Sequence, residues 1–156
     1  MYLIDGNNVI GQRVGWHRDK PGSRRRLIED LVRFTWIKRT ALTVVFDGAP
    51  SAEFPHGSSY KGVRIFYPAK GEDADSRIVE IVEAEQNQNN LIVVTSDRQL
   101  AARVRVCGVR VIRSGVFRQM LDELSLQNSN HHLNPDHPEL TEWLRYFGTT
   151  EDGEDQ

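Results

Sequence analysis

The sequence predicts an α/β domain built on a central, mostly parallel five-stranded sheet, and three observations carry that reading. Short apolar runs alternate with longer stretches of helical period, the pattern of βαβ units. The run Leu91-Ile92-Val93-Val94 is continuous and apolar, as strands buried on both faces are. Aspartates stand where strand runs stop: Asp5 after Tyr2-Leu3-Ile4, Asp47 after Val45-Phe46, and Asp97 after Val94-Thr95-Ser96.

The elements follow in order. Residues 2 to 5 give the first strand. Pro21-Gly22-Ser23 opens a helix to about Arg39, with Ser23 as its expected N-cap and Leu27, Ile28, Leu31, Val32, Phe34 and Trp36 as a broad apolar face. Residues 42 to 46 are the second strand. From Gly48 to Gly62 the chain is rich in Gly, Pro, Ser and His without periodicity, and reads as a long exposed loop. Val63 to Tyr67 is the third strand, followed by a helix from about Asp73 to Gln86 that Asn87-Gln88-Asn89-Asn90 breaks. After the 91–94 strand a helix runs to Cys107, Gly108 stops it, and residues 109 to 112 form the fifth strand. Val116, Phe117, Met120, Leu121 and Leu124 describe another amphipathic helix. Gln127 to Pro138 reads as a linker, leading to a last helix with Leu140, Trp143, Leu144 and Phe147 on one stripe. The expected division is therefore a domain over 1–127, a linker and packing helix over 128–150, and an acidic tail over 151–156.

At 156 residues and 38% hydrophobic content, the chain is long enough for one core without disulfides. Met1 leads directly into the first strand, no leader of basic and apolar regions is seen, and no run approaches a membrane span. A soluble, cytoplasmic protein is expected. The single Cys107 sits on the Leu100/Val104 stripe and reads as packing. The formal net charge of −2 hides an asymmetry. Residues 1 to 130 carry 19 Lys and Arg against 15 Asp and Glu, a net of +4, while residues 131 to 156 carry one Arg against seven acids, a net of −6. A basic body around a local acidic cluster suits a polyanion approaching a cation site.

In an open parallel sheet, ligands bind beyond the carboxyl ends of the strands where strand order reverses. Asp5 and Asp97 are expected to leave neighbouring central strands there, and Asp75 opens a helix that enters from the same rim. Any one such aspartate serves equally well as a helix cap or turn former. Three in register are a different matter: carboxylates about 4 Å apart repel by roughly 4 kcal/mol at an effective dielectric near 20, which a cation relieves. Oxygen donors of this kind suit Mg²⁺ or Mn²⁺, which can activate water and stabilise phosphodiester displacement. Asn7 and Asn8 offer amides to orient a carboxylate, and Gly6 is expected to allow a tight turn. A fourth acid is open between Glu72, Asp73 and Asp47, with Asp73 placed among the metal residues. No phosphate-binding glycine loop, dinucleotide fingerprint or zinc-ligand spacing is present.

Asp5-Gly6-Asn7-Asn8, then Ala74-Asp75-Ser76-Arg77-Ile78-Val79, then Val93-Val94-Thr95-Ser96-Asp97 resemble the three acidic motifs of NYN domains, the PIN-like metal-dependent ribonucleases. Order and spacing are most similar to the YacP-like bacterial branch, which includes a ribosome-associated endoribonuclease. The resemblance implies a PIN-like three-layer α/β/α fold, with Asp5, Asp75 and Asp97 as metal-binding catalytic carboxylates and Asn8 in support of Asp5. It also implies RNA as the substrate, with mRNA and the ribosome as expected partners. Arg24, Arg25, Arg26 and Arg98 are the candidate phosphate contacts. The rival expectation is a PIN-like module that grips RNA or the ribosome with little or no cleavage.

Overall fold

The computed structural model describes residues 1–132, so the expected C-terminal helix and acidic tail lie outside the described residues. Six strands form one sheet: β1 (Tyr2–Asp5), β2 (Leu42–Val45), β3 (Ser58–Tyr60), β4 (Val63–Phe66), β5 (Ile92–Val94) and β6 (Arg110–Ile112). Their spatial order is β3-β4-β2-β1-β5-β6, and every pairing is parallel except β3 with β4. The α-helices among the described residues are α1 (Gly6–Ile10), α2 (Lys20–Lys38), α3 (Ala74–Ala84), α4 (Arg98–Arg105) and, after the last strand, α5 (Ser114–His132).

Two apolar layers sandwich the sheet. On one face Ile4, Val44, Ile65 and Val94 pack against Val9, Leu27, Leu31, Phe34, Phe117 and Leu121, which come from α1, α2 and α5. Edge-to-face contacts of Phe34 with Tyr2 (5.0 Å) and Phe117 (5.1 Å) join α2, β1 and α5. On the other face Leu3, Val45 and Val93 pack against Ile78, Val82, Leu100 and Val104 of α3 and α4. Alternation along β1 sends Leu3 to one layer and Ile4 to the other, as a strand buried on both faces requires. The three-layer α/β/α arrangement is the expected one.

The sheet has six strands rather than five, and the additional one lies inside the expected Gly48–Gly62 loop. Ser58-Ser59-Tyr60 carries no apolar alternation, because β3 is a short edge strand that is nowhere buried. It turns into β4 through Lys61 (φ 48°) and Gly62 (φ 94°), both left-handed, as a two-residue hairpin turn of the primed type demands. The rest of the loop is tied down from within. The Tyr67 hydroxyl donates to the Phe54 carbonyl (2.7 Å), and His56 Nδ1 accepts from the Tyr67 amide (3.0 Å).

Helix α2 begins earlier than expected, because Asp19 and not Ser23 is the N-cap; its Oδ1 accepts from the Gly22 amide (3.1 Å). The Ser23 hydroxyl instead donates to the Trp16 carbonyl, holding a 3₁₀ turn over Trp16–Arg18 against the helix. Helix α5 continues to His132 through the expected linker boundary at 127, since nothing from Gln127 to His132 is a glycine or proline that would stop it. A charge network braces this side. Arg118, 7% exposed, donates to Asp30 (2.7 Å) and Asp122 (3.1 Å), and Arg13 approaches the same two acids.

Candidate active site

Strand β1 has β2 on one side and β5 on the other, and the chain reaches these neighbours in opposite directions of travel across the sheet. The crevice between the carboxyl ends of β1 and β5 is thus where strand order reverses. Asp5 ends β1 there, and Asp97 follows β5 as the N-cap of α4. Asp75 lies in the first turn of α3, and Asp47 follows β2 by two residues.

Asp5 is the deepest of the four, with 5% of its surface exposed. Its carboxyl is pushed up to about 6, chiefly because burial disfavours the charged form. The charges of Asp75 and Asp47 push in the same direction. The Thr95 hydroxyl opposes them by donating to Asp5 Oδ2 (2.9 Å), and the nearby Asn8 amide opposes them more weakly without forming a capping hydrogen bond. Asp75 is also raised, first by burial, then by the charge of Asp97, which it faces at hydrogen-bonding range. Three expected carboxylates and Asp47 are therefore one electrostatic unit.

Backbone contacts fix where these acids point. Asp97 Oδ1 accepts from the Gln99 (2.9 Å) and Leu100 (3.3 Å) amides, and its own amide donates to Thr95 Oγ1 (3.1 Å). Asp47 Oδ1 accepts from the Ala74 amide (2.9 Å), tying the end of β2 to the start of the helix that bears Asp75. The Asp47 amide in turn donates to Asn7 Oδ1 (2.9 Å). Asp47 is exposed, yet its charge acts on both Asp5 and Asp75, whereas exposed Glu72 is among the causes of neither shift.

Two expected roles change. Asp73 is the N-cap of α3: its Oδ1 holds both the amide (3.0 Å) and hydroxyl (2.8 Å) of Ser76, contacts that keep its carboxyl below the usual range. It is exposed, and it acts on the cluster through the charge it adds beside Asp75. Asn8 does not hydrogen-bond the Asp5 carboxylate with its side chain. Its Oδ1 accepts from the Ser96 amide (2.8 Å) and the Ser114 hydroxyl, and Ser96 Oγ accepts from the Ser114 amide (2.9 Å). Asn8 thus locks the turn that presents Asp97. Thr95, 1% exposed, was not singled out by sequence reasoning, yet it bonds to Asp5 and to the Asp97 amide at once. Its signal was a hydroxyl at the end of an otherwise apolar run. Gly6 opens α1 and is required for close packing, not for a turn: a Cβ there would lie 2.6 Å from the Phe46 ring.

The four candidate phosphate contacts separate. Arg24 reaches over the rim, with its guanidinium 4.9 Å from the Phe46 ring centre and 5.3 Å from that of Tyr67. Arg25 closes its fork on Glu53 (2.9 and 2.6 Å). Arg26 donates to Ser23 Oγ and borders a cleft with Trp16, Arg13 and Arg118. Arg98 is exposed at the start of α4.

In donor chemistry the cluster fits a hard divalent cation: the acids are oxygen donors, burial and then mutual repulsion keep Asp5 and Asp75 raised, and backbone amides occupy one oxygen each of Asp47 and Asp97. Among the described residues no three His, Cys, Asp or Glu side chains are gathered closely enough to hold a metal ion as they stand.

A sequence profile of the YacP-like NYN domain matches residues 2–145. The chain belongs to the YacP-like NYN family. Its fold is that of Rae1 (YacP) from Bacillus subtilis, whose crystal structure superposes with a TM-score of 0.69 at 20% identity, covering 99% of this chain and 95% of that one. A single-substitution mutant of Rae1 gives a TM-score of 0.69 at 19% identity, covering 88% and 84% of the two chains. No curated protein matches the sequence. Membership of this NYN family makes the domain nuclease-like and RNA-related. Among the described residues of this NYN domain no helix is long and apolar enough to cross a membrane.

Proposed function

We propose that this YacP-like NYN domain is a metal-dependent endoribonuclease of the cytoplasm that hydrolyses RNA phosphodiester bonds. One observation carries the reading: Asp5, buried at the sheet's reversal point, is held near pKa 6 by burial and by the charges of Asp75 and Asp47. Such a concentration of carboxylates works against binding a polyanion unless a cation mediates.

Asp5, Asp75 and Asp97 would hold Mg²⁺ or Mn²⁺, with Asp47 beside them. Bound there, the cation would supply charge neutralisation for the phosphate and a more acidic water. This chain's residues then do the positioning. Thr95 fixes the Asp5 carboxylate, Asn8 fixes the turn that carries Asp97, and Asp47 fixes the helix that carries Asp75. The family resemblance suggests mRNA met at the ribosome as the substrate.

The test is cleavage of a 5′-labelled structured RNA in Mn²⁺, beside EDTA and an Asp5→Asn variant. Internal cuts that vanish with EDTA and in the variant are expected. If naked RNA is not cut but RNA on translating ribosomes is, presentation by the ribosome is part of the activity. No cutting on either substrate would refute the reading. The second reading, an RNA- or ribosome-binding module without cleavage, is favoured by the spacing of these acids, of which no three are gathered closely enough to hold a metal ion as they stand among the described residues. Salt-dependent binding that survives EDTA and Asp97→Asn, with no cleavage in Mn²⁺, would establish it.

A further inference from the structure

We propose that Arg24, and neither Arg25 nor Arg26, binds the RNA phosphodiester at the acid cluster. The inference rests on the ribonuclease reading and names the cation by which this chain itself would hold the substrate there.

Placement comes first. Helix α2 returns from α1 with its N-terminal turns at the carboxyl rim of the sheet, and Arg24 lies in the second of those turns. Its guanidinium covers Phe46 and Tyr67, the residues that immediately follow β2 and β4. Nη2 donates to the carbonyl of Asp47 (3.3 Å), the residue whose carboxylate acts on both Asp5 and Asp75. One long hydrogen bond leaves most of the five guanidinium donors for a ligand.

Charge is the second argument. None of the ion pairs among the described residues includes Arg24. Two ring faces and a carbonyl hold it in place, and these interactions orient a guanidinium without neutralising it. A cation held beside a group of carboxylates without closing on any of them is what a phosphate needs in order to approach them, and a planar fork can take two of its oxygens at once. The neighbours serve other ends. Arg25 spends its fork on Glu53, a bidentate pair on the surface that raises its own pKa. Arg26 points to the other side of α2, into the cleft beside Trp16 and Ile10.

The test is fluorescence anisotropy with a short fluorescein-labelled single-stranded RNA, in Ca²⁺ as the oxygen-liganded cation and over a salt series, followed by cleavage kinetics in Mn²⁺. Arg24→Gln should weaken binding roughly tenfold, the loss expected when a charged hydrogen-bonding partner is removed. It should also reduce the slope of log affinity against log salt by about one, the signature of one lost phosphate contact. Arg24→Lys keeps the charge and the stem over the rings, so it should restore the salt slope but only part of the affinity. Arg25→Gln should stay within about twofold of the parent, because it removes an exposed pair with Glu53. Thermal melts of each variant separate lost binding from lost folding, and the partial loss of affinity in Arg24→Lys decides the matter if Arg24→Gln does not fold. An Arg24→Gln protein that is folded and binds like the parent, or an Arg25→Gln protein that loses as much, would overturn the assignment. A parent that neither binds nor cuts RNA, whether naked or on translating ribosomes, would overturn the ribonuclease reading itself, whereas a parent that cuts and an Arg24→Gln variant that matches it would sink the arginine alone.

Discussion

Replacing Asp5 with Asn should make the metal-free protein more stable, the reverse of the usual effect of changing a buried residue. Burial and the charges of Asp75 and Asp47 raise this carboxyl from 3.8 to about 6. A rise of about two pK units costs the folded state roughly 3 kcal/mol once the group is ionised on both sides of the unfolding equilibrium. Asn removes that cost, and its carbonyl can still accept from the Thr95 hydroxyl. Because the folded pKa lies above the unfolded one, the parent is most favoured at low pH and loses that stability as pH rises through 4 to 6. The advantage of the variant should accordingly be about 1 kcal/mol at pH 4.5 and about 3 kcal/mol at pH 7.5. Urea denaturation of both proteins in EDTA at the two pH values measures it, and the larger difference corresponds to about 2–4 °C of melting temperature per kcal/mol. An Asn variant less stable than the parent at pH 7.5, or a difference that does not change with pH, would show that Asp5 is not under electrostatic strain.

Three further outcomes follow from contacts around the site and core. Thr95→Val removes the donor to Asp5 and the acceptor of the Asp97 amide, so unfolding free energy should fall by about 1–3 kcal/mol and the Asp5 titration, followed by carboxyl NMR, should move further upward. Gly6→Ala drives a methyl into the Phe46 ring and should cost about 1–3 kcal/mol in chemical denaturation, with partial recovery when Phe46→Leu is added. Arg118→Met strips Asp30 of its closest cation inside the α2–α5 contact and should cost about 3 kcal/mol, much of it recovered in the Arg118→Met/Asp30→Asn double variant, again by urea titration.

The sheet and the convergence of the acids were legible because both depend on strong, short-range patterns. Continuous apolar runs identify strands buried on two faces, and an aspartate at the end of each run falls at the same rim whenever the strands are parallel. Strand β3 escaped because an edge strand needs no apolar face, and Lys61-Gly62 is a less obvious hairpin turn than Asn-Gly would be. The start of α2 was misplaced because Asp19 and Ser23 are both good caps, and only the observed Asp19 to Gly22 hydrogen bond chooses between them. The division of labour among the acids was hidden for the same reason. Asp73 and Asp75 are two residues apart and chemically identical, yet one caps the helix and the other faces Asp97. Thr95 and Asn8 act through contacts with residues about ninety positions away, which no local pattern announces.

The hydroxyl of Thr95 has one proton, and its place in the fold determines where that proton goes. Its oxygen is already the acceptor for the Asp97 amide, and its hydrogen is given to Asp5 Oδ2. While Asp5 is ionised, that donation occupies a lone pair of Oδ2 and leaves the opposite oxygen the less engaged of the two. That oxygen is the one the fold leaves open to a proton near pH 6 and to a cation. Proton and cation then compete for this carboxylate: occupancy should fall as pH drops below that value, with protons taken up as the ion is released, and the acid limb of the activity profile would carry the titration of Asp5 together with that of its neighbour Asp75.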